Sequence, residues 1–121
     1  MAIQRGEVYW VDWEPARGGE QAGRRSALVV SNNIANEHAP VIILAAMTTR
    51  RPSRPFPFLV EVTAAETQLS RDSTINCLQL MTIDRGRLAA PSGGPPRAAG
   101  RISASRLPDV DRALKAALAL S

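Results

Sequence analysis

The sequence has few of the residues on which most enzymes rely. Cys77 is the single cysteine, His38 the single histidine and Lys115 the single lysine among 121 residues. One cysteine excludes a disulfide framework, and one cysteine with one histidine excludes the Cys/His zinc patterns. These residues exclude three common kinds of active site: a catalytic thiol with its base, a pair of histidines, and a centre of two metal ions.

Long apolar segments are also absent. The longest apolar run, Val41–Met47, is far too short to cross a bilayer. The first residues, "MAIQRGEVYWVDW", lack the basic end and apolar stretch of a secretory signal. A cytoplasmic location is therefore predicted.

The charge of the chain is positive and is carried by arginine. The sequence has 15 basic and 11 acidic residues, and Lys115 is the only basic residue that is not an arginine. Guanidinium groups stay ionised and can donate paired hydrogen bonds to a phosphate, which favours an anionic partner. A bias of genomic base composition towards arginine is the alternative explanation.

Short β-branched and aromatic segments predict one mainly β domain over residues 1–121. The predicted strands are EVYWVDW from Glu7, SALVVSNN with Asn32 and Asn33 as its turn, VIILAAMT (Val41–Thr48), FLVEV, STINCLQLMTI (Ser73–Ile83) and a short final RISAS. The third strand is apolar on both faces, which is typical of a central, buried strand.

Helices are predicted at few places. Thr63 and Glu66 have the spacing of a capping box, so a short helix is expected there. "DRGRL" predicts a helical turn, and "LPDVDRALKAALAL" predicts an amphipathic C-terminal helix. The prolines and glycines of residues 90–100 predict a flexible loop.

Phosphate chemistry without metal or histidine remains possible for this chain. It requires a cation, a hydroxyl that orients the phosphate and an acceptor for a proton. Arg24 and Arg25 lie at the mouth of the second strand, just before SALVVSNN, Thr48 and Thr49 lie at the end of the third, and Glu20 is the nearest candidate base. These groups converge if the two strands are neighbours. The alternative interpretation is that the arginines are solvated residues at a strand edge and that the threonines only reflect ordinary β propensity.

The order of these residues resembles a known motif. "RGEVYWVDWEPARGGEQAGRRSALVVSN" is similar to the N-terminal motif of the MazF/PemK toxins, and the resemblance extends through "VIILAAMTT" and "RDSTINCLQLMTIDRGRL". It implies a small SH3-like β-barrel of the CcdB/PemK type, with short helices and a C-terminal helix, that works as a homodimer. It further implies an mRNA interferase that cleaves single-stranded RNA at specific sequences, without metal or cofactor, to 2′,3′-cyclic phosphate and 5′-hydroxyl ends. A MazE-like antitoxin is the implied partner.

The resemblance also implies roles for individual residues. Arg25 corresponds to the catalytic arginine of the family, and Thr48 corresponds to its catalytic hydroxyl. Because a guanidinium scarcely deprotonates, Glu20 is kept as the possible proton acceptor.

A larger group of residues is predicted to bind unpaired RNA. Its members are Gln21, Arg24, Arg50, Arg51, Arg54, Phe56, Pro57, Ser73 and Gln79. The arginines are expected to follow phosphates, and Phe56 with Pro57 to offer a stacking edge, although a core position is the alternative for Phe56. Trp10 and Trp13 are expected to pack in the barrel or in a dimer interface.

Three departures from the family pattern leave alternatives open. Ser26 stands where proline is usual, and Leu78 and Met81 stand where relatives often carry an acid and a base. A nuclease of reduced activity is therefore one alternative. A toxin of the same fold that binds a protein such as gyrase and cleaves nothing is another, because fold does not decide function.

Overall fold

The computed structural model describes residues 2–13, 23–89 and 96–121. Within these ranges the chain forms seven strands and three helices. The strands are β1 (Glu7–Trp13), β2 (Gly23–Val29), β3 (Val41–Thr48), β4 (Leu59–Val62), β5 (Ser73–Asp84), β6 (Leu88–Ala89) and β7 (Gly100–Arg101). The helices are α1 (Asn33–His38), α2 (Ala64–Thr67) and α3 (Leu107–Leu118), with 3-10 turns at Arg85–Arg87 and Ala104–Arg106.

The strands form one curled antiparallel sheet with the order β4-β5-β3-β2-β1-β6, and β7 pairs with β1. β3 and β2 are central, as the apolar pattern of β3 predicted. The predicted mainly β fold with a C-terminal helix is thereby confirmed as a half-barrel sheet.

Side chains on the two faces of the sheet form two cores, because successive residues of a strand point to opposite sides. We call the face that packs against α3 the helix face; its core includes Leu28, Ala45 and Ile75. The core of the opposite face includes Tyr9 and Leu44. Any residue of the sheet can therefore be assigned to a face from its register.

The C-terminal helix α3 closes the helix face. Pro108 lies in its first turn, and Val110 and Ala113 are buried against the sheet. Arg5 ties the N-terminal segment to this helix, because its Nη2 lies 2.7 Å from an Asp111 carboxylate oxygen. Among the described residues, no helix is long and apolar enough to cross a membrane.

Helix α1 was not predicted. Asn32 and Asn33 were expected to form a turn, and that prediction is wrong: the Asn32 side chain accepts a hydrogen bond of 2.8 Å from the Ala35 N–H and caps a helix of six residues. A helix this short has too few residues to show a period, and it depends on tertiary contacts.

Those contacts come from distant parts of the chain. Asn36 is fully buried and its side-chain amide donates to the Ser31 carbonyl at 2.9 Å. The guanidinium of Arg85 donates to the carbonyls of Asn36 and Ala39 at the C-terminal end of the helix. His38 is the exposed last residue of α1.

The capping box of α2 is confirmed. Thr63 Oγ1 accepts from the Glu66 N–H at 3.1 Å, and the Glu66 carboxylate accepts from the Thr63 N–H at 2.8 Å. The final strand is shorter than predicted, because only Gly100–Arg101 pairs with β1. Residues 90–95 of the predicted loop lie outside the described residues.

Cys77 is buried, as predicted for a small apolar side chain in a strand, and burial raises the pKa of its thiol from 9.0 to about 11. We therefore expect no labelling by a disulfide reagent at pH 8 in the native protein and full labelling in denaturant. Since the folded pKa lies above the unfolded one, this group contributes stability that is complete below pH 9 and is lost as the pH rises towards 11. Thiol titration with and without urea measures how far the fold protects Cys77 from the reagent. Rapid labelling of the native protein would contradict the expected protection.

Candidate active site

The sheet register brings Arg25 and Thr48 together. β2 and β3 are antiparallel neighbours, with Ala27 opposite Ala46 and Val29 opposite Leu44. Continuing this register by two residues places Arg25 opposite Thr48. Neighbouring strands lie about 4.8 Å apart, so both side chains can reach one phosphate group. Both belong to the opposite face of the sheet.

The hydroxyl of Thr48 is held in place at the end of β3. Thr48 is half-buried, and its Oγ1 accepts a hydrogen bond of 3.1 Å from the Arg50 N–H. A hydroxyl that accepts in this way keeps its own proton to donate. Arg25 is half-buried as well and lies opposite Val11 of β1.

The polar row continues across the sheet on the same face. Thr74 of β5 lies opposite Thr48, and Glu61 of β4 lies opposite Thr74. Asn76 follows two residues later on β5, opposite Ala46. Thr74 and Asn76 could not be selected from the sequence, because both lie within an apolar strand and their place in the site depends on strand pairing.

A cleft of about 420 Å³ opens beside this row. Its lining includes Thr48, Thr74 and Asn76 on the sheet side and the exposed Arg50 and Arg51 at the rim. Hydroxyl and amide groups beneath two guanidinium groups form a site suited to an anion.

The segment after β3 carries a stacked aromatic pair, of which Phe56 is exposed and Phe58 is half-buried against the core of the helix face. The guanidinium of Arg54 lies 5.0 Å from the ring centroid of Phe56, and that ring stacks on Phe58 with centroids 5.1 Å apart. Phe56 is 38% exposed, so the alternative of a core position is wrong. Pro57 is exposed beside it.

Ser73 does not join the Arg25 and Thr48 pair. It lies on the helix face with Ile75, is buried, and its hydroxyl donates to the Arg71 carbonyl at 3.3 Å.

Gln79 is exposed at an irregularity of β5. The register between β3 and β5 jumps from Ala45 opposite Leu80 to Ala46 opposite Asn76, and the intervening residues form a bulge. Gln79 lies in that bulge, next to Leu78, which is 57% exposed. The bulge therefore displays both side chains to solvent.

Some predicted site residues lie outside the described structure. Glu20 and Gln21 fall in the range 14–22, and the side chains of Arg24 and Trp13 are likewise outside it. The backbone of Arg24 belongs to β2, opposite Asp12. In the parts of the chain that the structure describes, no three His, Cys, Asp or Glu side chains are grouped to hold a metal ion.

Comparison with known families decides the membership of the chain. Residues 4–118 match the family described as PemK-like, MazF-like toxin of type II toxin-antitoxin system. The chain belongs to this toxin family. The family predicted from the N-terminal motif is thus confirmed.

Individual relatives of this PemK/MazF-family chain agree with that membership. It is 41% identical to Endoribonuclease EndoA of Bacillus subtilis (strain 168) over 88 residues, which cover 73% of this chain and 76% of the relative. Its structure is similar to MazF of Deinococcus radiodurans, with a TM-score of 0.71, 25% identity and 99% coverage of both chains. It is also similar to an endoribonuclease in complex with its cognate antitoxin from mycobacterial species, with a TM-score of 0.77, 24% identity and coverage of 99% and 98%.

Proposed function

We propose that this PemK/MazF-family chain is an endoribonuclease toxin that cleaves single-stranded RNA without a metal ion and is neutralised by a cognate antitoxin. The observation that supports the proposal is the β2–β3 register: continued from Ala27 opposite Ala46, it puts Arg25 level with Thr48, which lines a cleft with Arg50 and Arg51 at its rim. The similarity to EndoA, which is named an endoribonuclease, supports the same assignment.

Arg25 and Thr48 act on the phosphate in this proposal. The ribose 2′-oxygen attacks phosphorus, the bond to the 5′-oxygen breaks, and the products are a 2′,3′-cyclic phosphate and a 5′-hydroxyl. Negative charge grows on the non-bridging oxygens during this step, so donors placed around them bind the transition state more strongly than the substrate. The fork of Arg25 and the O–H of Thr48 are such donors.

Two proton transfers accompany the phosphorus chemistry. The attacking 2′-hydroxyl loses a proton to a base, and the leaving 5′-oxygen takes one from water to become the 5′-hydroxyl. Arg25 stays protonated and so stabilises charge rather than accepting a proton. Glu20 remains the proposed acceptor of the 2′-hydroxyl proton, since it is the carboxylate nearest to Arg25 in the sequence.

The RNA chain is proposed to leave the cleft along the segment after β3. Arg50, Arg51 and Arg54 follow its phosphates, and the exposed ring of Phe56, beside Pro57, stacks with a base. The remaining predicted contacts keep their proposed roles in binding RNA: Gln21, Arg24, Ser73 and Gln79. Of these, Gln79 is the exposed side chain that the bulge presents for reading a base edge.

The assembly is part of the proposal. The chain works as a homodimer in the cytoplasm, and an acidic segment of the antitoxin folds onto the arginine-rimmed cleft, where opposite charges attract. Antitoxin and RNA then compete for one surface, so bound antitoxin blocks cleavage.

Cleavage in EDTA tests the function directly. The purified, antitoxin-free protein is incubated with a long unstructured RNA, and the cut ends are mapped. We expect discrete cuts whose 5′ ends accept phosphate from a kinase and whose 3′ ends resist ligation until the cyclic phosphate is opened. Cleavage that EDTA abolishes would contradict the metal-free mechanism. No cleavage of several RNAs by the folded protein would contradict the nuclease, and binding to gyrase would then be measured.

Replacing Thr48 by alanine is expected to lower the single-turnover cleavage rate about 10- to 100-fold, because a hydrogen bond to a charged group contributes about 1.5–3 kcal/mol. Thr48→Ser keeps the hydroxyl and should retain most of the rate. Thr82→Ala, at an exposed position of β5, is the matched control and should cleave like the wild type. A wild-type rate in Thr48→Ala would remove this residue from the mechanism.

A further inference from the structure

A second cavity lies on the helix face, close to the candidate active site. Its volume is about 220 Å³, and its lining includes Trp10, Ser26, Thr49, Gln68 and Arg71. Of the RNA contacts proposed above, Ser73 also lines this cavity; the roles of the other residues do not involve it.

The cavity begins where the Arg25 and Thr48 pair ends. Ser26 directly follows Arg25, and Thr49 directly follows Thr48, yet Ser26 and Thr49 line the cavity of the helix face. The alternation of side chains along a strand explains this division. The backbone positions of Arg25 and Thr48 are therefore one residue, about 3.3 Å along the strand, from those of Ser26 and Thr49, while the two sets of side chains lie on opposite faces of the sheet.

The lining has the chemistry that an unpaired nucleotide needs. The half-buried indole of Trp10 offers a flat surface on which any base can stack. The exposed Arg71 offers a guanidinium for a phosphate, and the exposed Gln68 amide can both donate to and accept from a base edge. Single-stranded RNA is read in this way, by stacking together with hydrogen bonds to base edges.

Close packing holds in place the segment after α2, which forms one wall of the cavity. Thr67 is fully buried, and its Oγ1 accepts from the Leu69 N–H at 3.2 Å. A Cβ on Gly100 would lie 2.5 Å from the Thr67 carbonyl oxygen, so the missing side chain lets β7 approach the end of α2. Gln68 then follows with a left-handed backbone, φ 67°, which orients the chain along the cavity.

We propose that this helix-face cavity binds the base of a nucleotide adjoining the scissile phosphate and so contributes to the sequence preference of cleavage. The proposal rests on the proposed ribonuclease function. The observation that carries it is the adjacency at the strand ends, where Ser26 and Thr49 of the cavity directly follow Arg25 and Thr48. The substrate chain must then pass around the end of the sheet to use both sites.

The test uses short RNA substrates in which each nucleotide around the cut is made abasic in turn. For the wild type, one flanking position should lose about 5- to 100-fold in kcat/KM, as expected for a stacked base. Gln68→Gly, which suits the left-handed backbone, and Arg71→Ala should lose activity on the intact substrate. Gln68→Gly should be less sensitive than the wild type to removal of that base. Arg112→Ala, on the exposed side of α3, is the control and should behave like the wild type.

A binding measurement gives a second readout. An RNA with a 2′-deoxyribose at the cut site cannot be cleaved, and 2-aminopurine placed at the sensitive position reports stacking by loss of fluorescence. The fluorescence should fall on the wild type and on Arg112→Ala, and it should fall less on Trp10→Leu. Retained thermal melting of each variant excludes unfolding as the cause.

The outcomes separate this proposal from the one on which it rests. Cleavage by the wild type with an unchanged abasic profile in Gln68→Gly, or with wild-type activity of both Gln68→Gly and Arg71→Ala on the intact substrate, overturns the cavity proposal and leaves the ribonuclease intact. No cleavage by the wild type overturns the ribonuclease itself. Weaker binding of an acidic antitoxin peptide by the two variants, with unchanged RNA cleavage, would assign the cavity to the antitoxin and also overturns the proposal.

Discussion

Arg25→Ala is expected to lower the single-turnover rate of RNA cleavage on the order of 100- to 1,000-fold, the range found when a donor to a developing oxyanion is removed. Continuing the β2–β3 register places the backbone of Arg25 opposite Thr48 at the strand ends. In the proposed mechanism its guanidinium supplies positive charge to the phosphate, which gains more from it in the transition state than in the substrate. Rates measured with enzyme in excess, on one RNA of known cut site, give this loss without interference from product release.

Two further variants test whether the loss of rate is due to the guanidinium group of Arg25. Arg25→Lys keeps the charge but lacks the planar fork, so it should recover only part of the rate. Arg112→Ala removes an exposed arginine from α3 and should leave the rate unchanged, which controls for net charge. Equal rates for Arg25→Ala and Arg112→Ala, with both proteins folded, would show that Arg25 does not act on the phosphate.

Gly100→Ala is expected to lower the free energy of unfolding by about 1–3 kcal/mol, as overpacking does. The new Cβ would lie 2.5 Å from the Thr67 carbonyl oxygen and 2.9 Å from Leu69 Cδ2. Since the closest obstacle is backbone, the segment that joins α2 to β5 must move. Urea denaturation monitored by tryptophan fluorescence gives the change in unfolding free energy.

Gly86→Ala is the matched control for that substitution. The nearest atom to its added Cβ is an Asp84 carboxylate oxygen at 3.1 Å, which belongs to a short side chain able to shift. The loss of stability should therefore be smaller than for Gly100→Ala. Unchanged stability of Gly100→Ala would show that β7 and α2 do not pack as closely as described.

Local sequence patterns predicted most of the fold. The bounds of β3 and the capping box of α2 follow from apolar runs and from hydrogen-bonding residues at fixed spacing, which act within a few residues. Helix α1 was missed because what holds it is not local: Arg85, 46 residues after Ala39, donates to that carbonyl at the helix end. The six residues of the helix therefore contain no sequence pattern that would predict this contact.

The candidate site was predictable only in part, for the same reason. Arg25 and Thr48 could be selected from their chemistry and from the family motif, on the condition that their strands were neighbours. Thr74 and the helix-face cavity could not be found, since they depend on the β3–β5 register and on the approach of α2 to β7. The roles of Glu20 and of the predicted RNA contacts remain predictions.

In the proposed mechanism, Arg25 and Thr48 hold one phosphate between the ends of β2 and β3. The most direct measurement compares single-turnover rates of the wild type, Arg25→Ala, Thr48→Ala and the double variant on one RNA. If both groups bind the same phosphate, loss of Arg25 already misplaces it, so the double variant should be little slower than Arg25→Ala alone. Losses that simply multiply, or a wild-type rate in either single variant, would contradict the account.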